Sequence, residues 1–369
     1  MKKLGLIVNP IAGMGGAVGL KGTDGREILN KARTLGAKLI APKRAELFLS
    51  FLKPLKNEIQ IMAAAGMMGA SEAQNIGFTC GIFGEAKDET SAIDTKNAAK
   101  EMLDEGVDLF VFCGGDGTAR NIMDAVDAHL PVLGVPTGVK MHSAVFAFNP
   151  ESAASITSRF LFERLPLREA EVMDVDEEAF RSGRVSARLY GYVLTPYEPN
   201  LVQSMKVASP ITEDELRNQA AIAVYFIEKI IVPDVIYIIG PGTTTRTITD
   251  LLEEKKTLLG VDLLCNRKII AYDVNENEIL KRIQNRNVKI VVTPIGGQGF
   301  IFGRGNQQIS SSVIRKVGTK NIIIIATKSK LGQLKNLRVD SGDPLLDKEI
   351  CGQINVVADY EEQYSMMIE

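Results

Sequence analysis

The chain has 369 residues, with 43 Lys plus Arg against 45 Asp plus Glu, a net charge of −2, and 45% apolar residues. That length exceeds one ordinary core and suits two domains, and the composition excludes a disordered or fibrous chain. The even charge removes the usual electrostatic case for nucleic acid, and no apolar run approaches the ~18 residues of a membrane span; a cytoplasmic protein with neither partner is expected.

LGLIV (4–8) reads as a strand that runs into NPIAGMGGAVGLKGTDG (9–25). Six glycines in those 17 residues cost conformational entropy that a mere connector has no reason to spend. Asn9 at the strand end can hydrogen-bond an adenine or a ribose. The loop, with Gly13, Gly15 and Gly16, can lie along a phosphate chain. A helix is expected near 26–36, a strand over 58–65, and a helix capped by Asp94 that stops at Gly106. LFVFC (109–113) and PVLGV (131–135) are further strands. Strands separated by helices imply right-handed crossovers and a parallel sheet, which binds ligands at the carboxyl ends of its strands.

LFVFC leads into Gly114-Gly115-Asp116-Gly117-Thr118. Neither a P-loop lysine nor a G-x-G-x-x-G after the first strand is present. A carboxylate in such a turn is tolerable beside phosphates when Mg²⁺ lies between them, or when it faces an incoming hydroxyl as a base. Gly114, Gly115 and Gly117 let the backbone approach the phosphates, and Thr118 can cap the helix or donate to an oxygen. The alternative is a tight turn in which Asp116 merely caps the helix. PVLGVPTGVKMHS again sets polar groups at a strand end, with Thr137, Gly138 and Lys140 as phosphate partners and His142 as a structural hydrogen-bonder.

A helix over 149–165 is expected to leave the first domain. The next segment is turn-rich and antiparallel in character, and Thr212 with Glu215 forms a capping box for a long helix. DVIYIIG then precedes GPGTTTR (240–246), an anion-binding concavity at a helix N-terminus; Gly240, Gly242, Thr243 and Thr244 are its candidates. VDLLC and KIIAYDV, joined by Asn266-Arg267, suggest a hairpin. The strand VKIVVTPIGG (288–297) opens a second glycine-rich stretch, TPIGGQGFIFGRGNQQIS, where Gly296 and Gly297 suit close contact with a ligand. NIIIIAT (321–327) is another strand. Asp340 and Asp343 read as turn and cap. The cysteines, Cys80, Cys113, Cys265 and Cys351, lack zinc spacing and read as reduced thiols. No metal ligand is assigned. The fold class is α/β: a Rossmann-like parallel domain over 1–150 and a mixed α/β domain over 151–369, with a ligand cleft between them and C-terminal strands free to return to the first.

NPIAGMGGAVGLKGTDG, FCGGDGTARNI, GVPTGVKMHSAVFAFNP, IIGPGTTT, LLGVD and TPIGGQGFIFGRGNQQIS, in this order, resemble the NAD kinase and diacylglycerol kinase superfamily. Within it they look like the ATP-NAD kinase-like branch of archaea and bacteria, which includes acetoin-catabolism-associated proteins. The resemblance implies transfer of a phosphoryl group from ATP or polyphosphate, with Mg²⁺, to the 2′-hydroxyl of NAD, giving NADP. It also implies that Asp116 activates the acceptor hydroxyl, and a homo-oligomer would accord with it. Two features depart from typical members. Their Asn-Glu or Asn-Asp motif, which grips the nicotinamide side, is matched only by Asn275-Glu276, which reads as a helix start. Their second domain is largely β, whereas here it reads α/β. A kinase of another hydroxylated metabolite or lipid-like alcohol, and a nucleotide sensor without turnover, are the alternatives.

Overall fold

The computed structural model describes all residues but 21, 23–24, 127–129, 139–140, 176–186, 199–200, 203–211 and 296–297. Tertiary contacts divide the chain into one unit of Met1–Gly15 with Lys21–Met205 and another of Gly16–Leu20 with Lys206–Glu369.

The first unit runs β1 (Lys2–Val8), α1 (Arg26–Thr34), α2 (Ala41–Leu52), β2 (Ile59–Ala64), α3 (Ala70–Ile76), β3 (Cys80–Phe83), α4 (Ala92–Asp104), β4 (Leu109–Gly114), α5 (Asp116–Met123), β5 (Val132–Pro136), α6 (Pro150–Glu163), β6 (Leu167–Val175) and β7 (Ala187–Pro196). Its five-stranded sheet is parallel in the order β3-β2-β1-β4-β5. A parallel sheet needs apolar residues on both faces, and β4 is buried along its whole length. Leu109, Val111 and Cys113 pack with Phe48, Leu49 and Ile156 on one side. Phe110 and Phe112 pack with Met102 and Ile122 on the other. Period-two alternation thus serves two helix layers.

Two local expectations are corrected. The 149–165 helix does not leave the first unit: Ala153, Ile156 and Leu161 of α6 sit in its core. Asp94 is the third residue of α4 rather than its cap. Ser91 caps that helix, and its side chain and the Asp94 carboxylate exchange hydrogen bonds with each other's amides, a reciprocal box that satisfies two otherwise orphaned N–H groups. Gly106 closes the helix at φ 72° as expected. Burial pushes the Cys113 thiol well up, so it packs rather than reacts.

In the second unit, α7 (Glu213–Tyr225) continues into a π-helical turn, Phe226–Ile230. β8 (Val235–Ile239), α8 (Thr243–Leu251), β9 (Asp262–Cys265), β10 (Lys268–Ala271), α9 (Glu276–Arg282), β11 (Asn287–Val292), α10 (Ser311–Val317), β12 (Ile322–Ile325), α11 (Lys328–Gly332), α12 (Pro344–Ile350), β13 (Gly352–Asp359) and β14 (Glu362–Ile368) follow. The sheet order is β10-β9-β8-β11-β12-β13-β14. β8, β11, β12 and β13 are parallel, and the antiparallel strands β9, β10 and β14 border them. The C-terminal strands therefore do not return to the first unit; β13 pairs with β12, and β14 pairs with β13. The predicted hairpin joins β9 to β10, with Asn266 and Arg267 at φ 50° and 64°, the left-handed pair that a tight hairpin turn demands.

The LLGVD segment precedes this hairpin. The Asp262 carboxylate accepts from Thr257 N–H at 2.8 Å and from Asp273 N–H at 2.7 Å. The buried Lys256 Nζ donates to the Thr257 carbonyl at 2.8 Å and lies 3.8 Å from Asp262. Burial pulls the Lys256 ammonium down from its ordinary 10.5 to about 8, although Asp262 opposes the change. The sign follows from proton counting: between pH 8 and 10.5 the unfolded chain binds the extra proton. The charge-burial cost is thus present in full below pH 8 and relieved as the pH rises. Wild type is expected to gain stability over this range relative to Lys256→Met, as read by urea unfolding at each pH. Parallel curves would refute the assignment.

Candidate active site

At the carboxyl edge of the first sheet, β1 leads outward to β2 while β4 lies on its other side, which makes the β1/β4 junction a topological switch point. Asn9 follows β1, and its N–H donates to the Cys113 carbonyl at 2.9 Å. Its side-chain amide donates to Thr118 Oγ1 at 3.0 Å, which ties the glycine-rich loop to the first turn of α5. The loop then crosses the end of β5. Gly13 has φ 80°, and a Cβ there would stand 1.9 Å from the Thr137 carbonyl oxygen, so only glycine fits.

Gly115 caps α5 in extended backbone, and Asp116 is the first helical residue, where a carboxylate complements the helix dipole. Asp116 is only 6% exposed. Its Oδ1 accepts from Ser143 N–H at 2.9 Å and Ser143 Oγ at 2.6 Å, and its Oδ2 accepts from His142 N–H at 2.9 Å. The His142 ring is buried, neither of its nitrogens makes a hydrogen bond, and Nδ1 stands 3.4 Å from Oδ2. Asp116 is therefore oriented by the loop that follows β5, and an imidazole able to take a proton stands beside it. Ser143 Oγ also accepts from Met173 N–H at 2.9 Å, and Arg120 pairs with Asp174, so β6 braces α5. A mere turn cap would have no such hold. His142 and Ser143 carry it, and nothing in their spacing distinguishes them from ordinary loop residues.

The structure thus brings Asn9, Gly13, Gly114, Gly115, Asp116, Gly117, Thr118 and Thr137 together in the first unit, with Gly15 and Gly138 in the same two loops. The Thr137 hydroxyl is buried without a hydrogen bond. Lys140, Gly296 and Gly297 lie outside the described residues. Gly16 belongs to the second unit, where the neighbouring Ala17 carbonyl accepts from Glu276 N–H at 2.9 Å.

Gly240, Gly242, Thr243 and Thr244 also stand in the second unit. Gly242, at φ 133°, begins α8 without a side-chain cap, while Thr245 Oγ1 donates to the Gly240 and Gly242 carbonyls at 2.8 and 3.0 Å. The later glycine-rich stretch is largely self-bonded. Asn306 links Gly303 N–H to the Ile301 carbonyl. Arg304 and Asp340 form a buried pair at 2.8 Å, so Asp340 is structural. Asp343 caps α12 as expected. Asn275 and Glu278 form a capping box on α9, and Glu276 accepts from Ser310 Oγ at 2.5 Å. Among the described residues, no group of three His, Cys, Asp or Glu side chains could cage a metal, and no helix is long and apolar enough to cross a membrane.

A parallel sheet that turns through glycines into a helix headed by a held carboxylate, on a chain with a second mixed α/β unit, defines an α/β protein with its candidate site at a topological switch point. Residues 4–164 match the ATP-NAD kinase N-terminal domain and residues 233–367 the ATP-NAD kinase C-terminal domain. The chain belongs to the ATP-NAD kinase family and is a kinase. No curated protein and no solved structure matches it.

The two central glycines differ in what surrounds them. A Cβ on Gly114 would meet Thr118 Oγ1 at 2.4 Å, whereas one on Gly115 meets nothing within 4 Å. Gly114→Ala is expected to lower stability by about 1–3 kcal/mol through overpacking. Gly115→Ala should change it by less than about 1 kcal/mol. Thermal melts of both variants check the contrast, and equal melting temperatures would contradict it.

Proposed function

We propose that this kinase transfers the terminal phosphoryl group of ATP, or of inorganic polyphosphate, to the 2′-hydroxyl of NAD's adenosine ribose, giving NADP. One observation carries the reading: a buried carboxylate, oriented by three donors, heads α5 beside a glycine with open space around it. Asp116 accepts the proton of the attacking hydroxyl as the hydroxyl oxygen bonds to the terminal phosphorus and that phosphorus's bond to the bridging oxygen breaks, releasing ADP or the shortened polyphosphate. His142 Nδ1 offers that proton a second position. Backbone at Gly13, Gly114, Gly115 and Gly117, with Asn9, Thr118 and Thr137, lines the phosphate path, where aligned N–H groups favour anions.

Mg²⁺ usually binds through one or two carboxylates together with substrate phosphates rather than in an all-protein cage. The lack of a caging group among the described residues fits a metal carried in on the phosphates, where it would neutralise their charge. Asp116 is the carboxylate that would hold it.

One observation favours a different hydroxylated acceptor. The resemblance implies a nicotinamide grip by an Asn-Glu pair, yet Asn275 is spent on capping α9 and Glu276 on Ser310. The test is NADP formation from NAD, Mg²⁺ and either donor. Asp116→Asn is expected to lower turnover by about 10²–10⁴-fold, the usual contribution of a general base, with ATP still bound. Gly115→Ala should lose turnover without losing its melting temperature. Absence of NADP with wild type and both donors would reject NAD as acceptor; equal turnover in Asp116→Asn would reject the base.

A further inference from the structure

The Asn275-Glu276 pair and the LLGVD segment have no part in the proposed reaction, and the structure gives both the same employment. Asp262, which closes LLGVD, accepts from Asp273 N–H at 2.7 Å, and Val274 N–H donates to the Val261 carbonyl at 2.8 Å. These bonds fix the chain just ahead of α9. Asn275 then caps the helix. Its side chain accepts from Glu278 N–H at 3.0 Å, and the Glu278 carboxylate accepts from Asn275 N–H at 3.2 Å. Such a box satisfies two amides and leaves the one at the first helical position to find a partner elsewhere. In α9 that amide belongs to Glu276, and it donates to the Ala17 carbonyl at 2.9 Å.

Ala17 belongs to the glycine-rich loop, which is no slack connector at this point. Gly19, at φ 76°, turns back so that its N–H donates to the Gly16 carbonyl at 3.1 Å. A Cβ on Gly19 would stand 3.7 Å from Asn275 Cβ, and Val18 between them in sequence is buried. The Gly16–Gly19 turn therefore rests on the head of α9. Only Gly16 separates Ala17 from Gly15, so the loop has a hold at each end: Asn9 and Gly13 at its start, Ala17 at its exit.

We propose that Glu276 is a positioning residue for phosphate binding: its N–H, by holding Ala17, prepares the backbone at Gly13 and Gly15 to receive the phosphates of a nucleoside triphosphate or polyphosphate. The inference rests on the reading of this loop as the phosphate path. A loop ordered beforehand has less backbone freedom to lose when the ligand arrives. The hold is therefore expressed in affinity for the donor rather than in the chemical step. By linkage, whatever factor the hold adds to phosphate binding, bound phosphate adds to the hold.

The experiment is calorimetric titration of the full chain with ATP plus Mg²⁺ and with inorganic tripolyphosphate, joined to hydrogen exchange at the Glu276 amide. Glu276→Pro removes the N–H at a place that suits proline. The ring is favoured at a first helical position, and Asn275, at φ −92° and ψ 174°, already has the extended backbone that precedes a proline. Glu276→Ala loses the same carboxylate and keeps the N–H. The proline variant is expected to bind both ligands about three- to tenfold more weakly than the alanine variant, the range of one hydrogen bond. In turnover the difference appears in the donor KM and not in kcat. On wild type, where no variant has to fold, saturating ATP should slow exchange of the Glu276 amide by a similar factor. Equal affinities in two variants that melt alike would overturn the proposal, as would exchange at Glu276 that ATP does not slow, or a wild type that binds neither ligand. A wild type that binds ATP, shows the slowing and forms no NADP would reject NAD as acceptor and leave the hold standing.

Discussion

The Asp116 carboxylate accepts two amides and a hydroxyl from His142 and Ser143, and that hydroxyl in turn accepts the Met173 amide. Through this chain the start of α5, the loop after β5 and the strand β6 hold a common position, although they are far apart in sequence. Hydrogen bonds to a charged group contribute about 1.5–3 kcal/mol each, against about 0.3–1 kcal/mol for a carboxylate on a helix dipole. The held loop, more than the helix end, therefore decides where the carboxylate points. Asn9 adds the remaining strap by bonding Thr118, so the glycine-rich loop is registered to the same turn.

Both units repeat one local plan, a strand that turns through glycines into a helix, but the residue heading the helix differs. In the first unit it is Asp116, which can accept a proton. In the second it is Thr243, behind an uncapped Gly242, a neutral hydroxyl in place of a carboxylate. The second unit also departs from a largely β domain for an evident reason. Its strands β8, β11, β12 and β13 are parallel, and parallel neighbours need crossovers on the sheet faces.

Much of the architecture was readable from local pattern. The alternation in LFVFC serves two apolar faces, Asn266-Arg267 makes the left-handed hairpin turn, and Gly106 ends α4 in left-handed backbone. Local pattern does not announce the short strand β3 or the helices α2 and α3. β3 is only partly buried, so its residues carry little alternation, and α2 lacks a side-chain cap. Ser91 and Asp94 are both cap candidates in the sequence because a box joins the two, and Ser91 is the one in extended backbone. In the glycine-rich stretch over 293–310, Asn306 and the Arg304–Asp340 pair bond internally, a use of its polar residues that their spacing does not announce.

By itself the sequence determined the elements that short-range chemistry controls: strand–glycine–helix turns, parallel crossovers, caps, and Asp116 at the head of its helix. Family membership was legible in the same motifs, because their order along the chain is a one-dimensional property. Tertiary structure alone decided which partners the side chains take. It brought His142 and Ser143 to Asp116, turned Glu215 from its capping box toward Thr327, and buried Lys256 against the Asp262 turn. The physical reason is that hydrogen bonds and burial across long sequence separations exist only after the sheets have set their strands side by side, and no local pattern encodes them.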